Sequence, residues 1–175
     1  MIRKSGETIW ENPGPADVNA NSIAIRDPYL IVSGGFPQKE ILCIKADEPA
    51  GDHGRKVVWS TKKNVCWVPS PLIHDDRVLI LSDNGVLTDL ELKTGEAVWT
   101  QRVGSKAYAS PIQIGDLFIA PTRDGKSTLF KSTNDFELVA ENTIVGSGNA
   151  THVAVQNRLL IRADATLYCI GKPKD

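Results

Sequence analysis

The chain has 175 residues, of which 41% are hydrophobic and 23% charged, and a formal net charge of −1, a composition typical of a globular protein with one or two domains. Its basic residues are dispersed, with no run longer than Arg3-Lys4 or Lys62-Lys63, which argues against a nucleic-acid partner. No stretch approaches about 18 consecutive apolar residues, and the N-terminus lacks an apolar signal core, so neither a membrane span nor a secretory signal is predicted.

The first part of the chain predicts one short strand followed by a complete repeat. Glu7–Trp10 (ETIW) is interpreted as a lone outer strand, and Glu11–Asn21 has the composition of a loop. Tyr29–Val32 is the buried strand of the repeat that follows. This repeat is nine residues longer than the others, and we assign the excess to a loop at Asp47–Arg55 (DEPAGDHGR).

The second repeat has the clearest pattern. Arg77–Ser82 (RVLILS) is an apolar run between turn residues. Its four consecutive apolar residues, Val78–Leu81, predict a strand buried on both faces, because a half-buried strand would alternate apolar with polar residues. The elements that complete an antiparallel four-stranded meander are the turn Asp83-Asn84-Gly85, the strand Leu87–Leu92, the turn Lys93–Glu96 and the strand Ala97–Thr100.

The same pattern recurs with a period of about 40 residues, which indicates a repeat architecture. Ser70-Pro71 recurs as Ser110-Pro111, and a further copy begins at Ala150-Thr151 but lacks its fourth strand. The predicted strands number sixteen, which equals four complete four-stranded sheets if Glu7–Trp10 closes the last one. The copies span approximately residues 11–61, 62–101, 102–142 and 143–175.

The combination of Ser-Pro, an apolar run, Asp-Asn-Gly and Lys-Thr-Gly-Glu-x-x-Trp resembles the pyrroloquinoline quinone repeat of β-propeller proteins. Ser70–Trp99 is the clearest instance, and nearly the whole chain is covered, with a likeness to the C-terminal portion of bacterial members. The resemblance implies an all-β fold, a β-propeller of four-stranded antiparallel blades around a central channel, as a single domain over residues 1–175. It also implies seven or eight blades in a whole family member.

Four blades leave three arrangements open: half of an eight-bladed propeller, a small closed ring, or a ring completed by two copies. We favour the half propeller, because Arg3–Glu7 parallels the repeat turn Leu92–Glu96 and the chain therefore starts within a repeat. An open ring would expose the apolar faces of its end blades, which predicts a protein partner or a second copy of the chain. Relatives are often exported, so the compartment stays open.

The tryptophans divide into two groups. Trp10, Trp59 and Trp99 recur at the ends of fourth strands, and one large aromatic side chain per repeat predicts a packing device between blades. Trp67, together with Tyr108, lies just before or at the start of the innermost strands of neighbouring blades. We predict that Trp67 and Tyr108 are binding residues at the mouth of the channel.

The three cysteines, Cys43, Cys66 and Cys169, are odd in number and show no C-x-x-C spacing. Neither a zinc site nor a disulfide framework is supported by this pattern. We predict three plain thiols on or near buried strands, and no metal or other cofactor.

The titratable residues favour binding over catalysis. The resemblance implies that quinone enzymes hold calcium, use a catalytic Asp and often carry adjacent cysteines, which this chain lacks. Most acidic residues lie in turns, and Asp164 alone interrupts a predicted blade. His53, His74 and His152 occupy non-equivalent positions, which favours surface or packed histidines. We therefore predict a non-catalytic scaffold for protein or ligand binding; a remnant of a quinone-dependent dehydrogenase and an accessory domain of a larger protein remain the alternatives.

Overall fold

A computed structural model describes residues 6–171, which form fifteen β-strands in four sheets. That range contains no helix, so none there could span a membrane. The predicted turn at Arg3–Ser5 and the predicted polar tail after Gly171 lie outside the described residues. The strands are β1 (Ala24–Arg26), β2 (Tyr29–Gly34), β3 (Glu40–Ala50), β4 (Gly54–Thr61), β5 (Leu72–His74), β6 (Arg77–Leu81), β7 (Val86–Glu91), β8 (Ala97–Arg102), β9 (Ile112–Ile114), β10 (Leu117–Pro121), β11 (Lys126–Ser132), β12 (Phe136–Thr143), β13 (Val153–Val155), β14 (Arg158–Ala163) and β15 (Thr166–Gly171).

Each sheet is an antiparallel meander whose strand order follows the chain. We call the sheets β1–β4, β5–β8, β9–β12 and β13–β15 the first to fourth blades. The first three blades have four strands, and the fourth has three within the described range. Each predicted repeat therefore contributes one sheet, and the predicted all-β propeller architecture is confirmed.

The apolar run of the second blade is buried on both faces, as predicted. Val78 and Ile80 pack with Ile31 of the first blade, whereas Leu79 and Leu81 belong to a core shared with the third blade. Side chains alternate across a strand, so four consecutive apolar residues serve two interfaces at once. The blade is held between its two neighbours.

A series of hydroxyl groups ties the blades together where their innermost strands begin. The amide N–H of Ser22 donates to the hydroxyl of Ser70 at 3.0 Å, and that of Ser70 donates to the hydroxyl of Ser110 at 2.9 Å. The amide of Ser110 donates to the hydroxyl of Thr151 at 3.0 Å. The recurring Ser of the repeat is therefore an acceptor that positions the preceding blade.

Trp59 and Trp99 join successive blades, which confirms their predicted packing role. Trp59 lies against Gly95, where an added Cβ would stand 2.6 Å from the indole, and its Nε1 donates to the carbonyl of Leu92 at 2.8 Å. Trp99 packs edge-on against Phe136, with ring centroids 5.5 Å apart. In both cases a fourth strand of one blade contacts the outer part of the next blade.

The prediction of a lone strand at Glu7–Trp10 is wrong for the single chain, because these residues form no strand. The fourth blade, whose edge they would complete, lies at the other end of the open series of blades. The segment lies instead beside the first blade: the Arg55 guanidinium is 5.6 Å from the Trp10 ring centroid, and the amide of Glu11 donates to the carbonyl of His53 at 2.9 Å.

The prediction of a loop at Asp47–Arg55 is also wrong. β3 continues to Ala50 and β4 starts at Gly54, so the inserted residues extend the hairpin. Its polar side chains pair with one another, since Glu48 accepts from Lys56 at 2.6 Å. Such pairing across an exposed hairpin explains how residues with loop composition form strands.

Candidate functional site

The connections β2–β3, β4–β5, β6–β7 and their equivalents in later blades meet at one end of the sheets, which we call the loop end. Backbone hydrogen bonds link consecutive connections there: Ala107 donates to the carbonyl of Asp83 at 3.1 Å, and Arg123 donates to that of Lys106 at 2.9 Å. Gly148 in turn donates to the carbonyl of Arg123 at 3.1 Å. Hydrogen bonds therefore join the connections of the loop end into one continuous surface.

Trp67 lies at the loop end between the first two blades. Its indole covers Gly35 so closely that an added Cβ there would stand 1.9 Å from the ring, which explains why only glycine fits at position 35. The Asp83 carboxylate accepts from the amides of Trp67 and Val68, each at 3.0 Å. Lys39 Nζ lies 6.0 Å from the Trp67 ring centroid and 3.3 Å from Asp83 Oδ2. The half-buried Trp67 side chain therefore packs between the first and second blades.

Tyr108 is the more accessible of the two predicted binding residues, with 40% of its surface exposed. The Arg123 guanidinium lies 4.5 Å from its ring centroid, and Arg123 Nε donates to Asn149 Oδ1 at 3.0 Å. This arrangement spans the connections of three blades. It presents an aromatic face and a positioned guanidinium at the surface.

Trp67 and Tyr108 lie in different connections between blades, β4–β5 and β8–β9. They stand on either side of Asp83, whose carboxylate holds Trp67 and whose carbonyl accepts from Ala107, the residue before Tyr108. We therefore expect an extended segment that crosses both positions, rather than one small ligand that contacts both side chains. Their role in binding stays a prediction.

A buried polar cluster between the second and third blades was not predicted from the sequence. Asp89 is fully buried, with Oδ1 2.9 Å from His74 Nε2, and its Oδ2 accepts from Ser132 at 2.7 Å. Arg77 Nη1 lies 3.4 Å from the same Oδ2. Ser132 is 43 residues from Asp89 and in another blade, so no local spacing announces the cluster.

This cluster contains Ser, His and Asp but lacks the order that activates a nucleophile. Ser132 donates to Asp89 rather than to His74, so the imidazole does not face the hydroxyl. His74 is only 3% exposed and packs edge-on against Phe118 at a centroid distance of 4.7 Å. The cluster fastens two blades together.

The three histidines fall into the predicted surface and packed classes. His53 is exposed on the β3–β4 turn, whereas His74 and His152 are buried. His152 Nε2 lies 2.8 Å from Ser127 Oγ across the interface between the third and fourth blades, and burial lowers the pKa of His152. The histidines serve different places and share no site.

The cysteines correct one expectation. Cys43 and Cys66 are buried free thiols, and burial raises the pKa of each to about 12. Cys169 is free but exposed, because the face of β15 that carries it has no blade packed against it in the single chain. Its predicted place on or near a buried strand is therefore wrong.

A family model described as "Outer membrane protein assembly factor BamB", a model of the pyrroloquinoline quinone repeat, matches residues 2–170. The chain belongs to this family. No curated protein sequence gave a significant match. The BamB-like assignment confirms the resemblance inferred from the repeat.

Solved structures agree on the fold. BamB from Moraxella catarrhalis is 15% identical with a TM-score of 0.71, over 89% of this chain and 47% of that protein. The computationally designed Ika4 protein is 10% identical with a TM-score of 0.67, over 92% of this chain and 99% of that one. A europium-containing methanol dehydrogenase is 10% identical with a TM-score of 0.56, over 72% of this chain and 24% of that enzyme. This BamB-like chain thus spans about half the length of the Moraxella protein.

The calcium implied by the repeat name does not fit the side chains of residues 6–171. Calcium takes about six to eight oxygen ligands, yet within residues 6–171 no group of three His, Cys, Asp or Glu residues is placed to hold a metal ion. The Asp83 carboxylate is occupied by two backbone amides, and Asp124 accepts from Thr122 Oγ1 at 2.6 Å, which lowers the pKa of Asp124. Asp164 lies in the β14–β15 turn beside a cleft of about 340 Å³ that also contains Arg162.

Proposed function

We propose that this BamB-family chain is a non-catalytic scaffold whose loop end binds an extended acidic segment of another protein. The observation that carries the proposal is the pair of the exposed Tyr108 and the half-buried Arg123, held in place by Asn149 and by the backbone of Lys106. Its family is described as an assembly factor, which supports protein binding as the role. The dehydrogenase likeness supports the fold alone.

The chemistry of the loop end favours carboxylates. Arg123 offers a planar guanidinium that is already oriented on an aromatic face, so little side-chain entropy is lost when it binds a carboxylate. Lys106 adds an exposed cation, and Lys39 adds a second one that is paired with Asp83 at 3.3 Å. The Asp83 carboxylate also accepts from two backbone amides. Tyr108 supplies apolar contact area next to this charge. An extended chain with alternating acidic and apolar residues would satisfy both features.

The test uses displayed libraries of random linear peptides selected on the native protein. We expect selected peptides to be rich in Asp and Glu, and Tyr108→Ala combined with Arg123→Gln to weaken their binding at least about tenfold, as for a hot-spot pair. Lys131→Gln is the matched control, because Lys131 is an exposed cation at the opposite end, paired with Asp116 at 2.9 Å. Peptides whose binding ignores Tyr108 and Arg123 would refute the proposal.

The alternative, a remnant of a quinone-dependent dehydrogenase, has its own experiment. The protein is titrated with pyrroloquinoline quinone and calcium and followed by absorbance and by thermal unfolding. The scaffold proposal expects no saturable change. A saturable shift of several degrees in Tm would favour the enzyme remnant.

A further inference from the structure

The fourth blade has an open edge. In the first three blades the third strand is paired with a fourth, but β15 pairs only with β14 among the described residues. An unpaired strand edge presents a row of N–H and C=O groups that can template another strand. The edge of β15 is therefore a ready acceptor for one strand.

The fourth blade also has an open face. The register places Val153, Leu160 and Cys169 on one face and Ile161 on the other, because residues opposite each other in a ladder share a face. Ile161 is 3% exposed and packs toward the third blade, whereas Val153 is 53% exposed and Leu167, also on the open face, is 69% exposed. Leu160 is the counterpart of Leu79, whose face is covered by a neighbouring blade.

The first blade has the complementary features. Ile25 is 68% exposed on the face turned away from the second blade. Glu7–Trp10 lies beside this blade with Ile9 68% exposed, and Trp10 contacts Arg55 of the β3–β4 hairpin. Trp59 contacts the β7–β8 hairpin of the second blade in a comparable way. The N-terminal segment thus occupies the position of an outer strand from a preceding blade.

We propose that two copies of this chain associate head to tail, and that Glu7–Trp10 of each copy becomes the fourth strand of the other copy's last blade. Two copies would then form eight four-stranded blades in one ring. The hydroxyl series supports this arrangement, because the amide of Thr151 would donate to Ser22 of the second copy as Ser70 donates to Ser110. The association does not depend on what the loop end binds.

The existing ladders predict the register of the exchanged strand. Trp59 is the Cα partner of Cys43, and Trp99 is that of Asp89. Cys169 is the equivalent position of the fourth blade, so Trp10 of one copy should face Cys169 of the other. Directly opposed residues of an antiparallel ladder have Cα atoms about 4.5–5.5 Å apart, which is within disulfide range.

The first experiment measures mass by light scattering and sedimentation. The chain is 19.1 kDa, so two copies should weigh 2 × 19.1 = 38.2 kDa. Leu167→Asp should give the single-chain mass with an unchanged β-type circular dichroism spectrum. Leu138→Asp is the control, because Leu138 is 54% exposed on β12 of the third blade, which is not one of the two blades that would meet. A wild-type protein that stays at the single-chain mass at micromolar concentration would overturn the proposal.

The second experiment tests the exchange of strands. Trp10→Cys, oxidised with glutathione disulfide, should form a disulfide between two chains through Cys169, seen as a doubled mass on non-reducing gels. Adding Cys169→Ser should abolish that band. A disulfide within one chain would show that the segment closes its own last blade, and a dimer without any cross-link would show face packing without exchange; either result overturns the proposed exchange.

Discussion

The second and fourth blades carry the same pattern, yet only the second is buried on both faces. Leu79 of the second blade is fully buried, whereas its counterpart Leu160 in the fourth is only half-buried. The polar cluster differs as well: Asp89 is sealed by Ser132 of the next blade, whereas the equivalent Cys169 is exposed. A blade of this protein therefore owes its core to its neighbours rather than to its own strands.

The largest expected difference is in core truncation at the two equivalent leucines. Leu79→Ala should lower the free energy of unfolding by about 3–4 kcal/mol, because it leaves a cavity between two packed blades. Leu160→Ala should cost only about 1 kcal/mol in the separated chain, because less buried surface is lost. Urea denaturation at low protein concentration measures both.

Protein concentration sharpens this comparison. If a second copy covers the fourth blade, the cost of Leu160→Ala should grow with concentration, while that of Leu79→Ala stays constant. Equal costs for both substitutions at every concentration would contradict the view that neighbouring blades supply the core.

A smaller effect is expected where one blade's tryptophan meets the next blade's turn. Gly95 has a φ of +73° and lies under Trp59, so Gly95→Ala adds backbone strain and displaces the indole, at about 2–3 kcal/mol together. Gly51 has a φ of +63° with open space around its missing Cβ, so Gly51→Ala isolates the strain, about 1 kcal/mol. Thermal unfolding compares the two, and equal losses would show that Trp59 contributes nothing at Gly95.

The smallest effect concerns pH at the junction of the third and fourth blades. Burial lowers the pKa of His152 below its ordinary value of about 6.5. The unfolded chain therefore binds a proton on His152 at higher pH than the folded chain does. Above about pH 6.5 neither form is protonated and this residue costs no stability, whereas below it protonation favours the unfolded chain and the free energy of unfolding falls. His152→Gln should flatten the decrease in Tm between pH 7.5 and 5.5 by a few degrees.

The exposed His53 provides the control for this titration. His53→Gln replaces a histidine on the exposed β3–β4 turn of the first blade and leaves the junction of the third and fourth blades intact, so it is the matched substitution. If the dependence of Tm on pH is the same for His152→Gln and the wild type, protonation of His152 does not affect the stability of the junction.

Local pattern was sufficient for the repeat, for the double burial of Val78–Leu81 and for the packing of Trp59 and Trp99, because each depends on strand periodicity or on recurrence at a fixed distance. It was insufficient for the Asp47–Arg55 hairpin, whose polar residues form strands with the Lys56–Glu48 ion pair across the hairpin. It was also insufficient at Tyr108, where the partners Arg123 and Asn149 come from later blades.

Residue order alone therefore specifies sheets of four strands with two apolar faces, since alternation along a strand and turn chemistry act over a few residues. Which residues cover each face of a sheet is decided only by the packing of one blade against the next. That packing joins His74, Asp89 and Ser132 in one cluster, leaves Cys169 and Leu167 uncovered, and holds Glu7–Trp10 against the first blade rather than the last. Contacts between repeats depend on distances in space that no short stretch of sequence encodes.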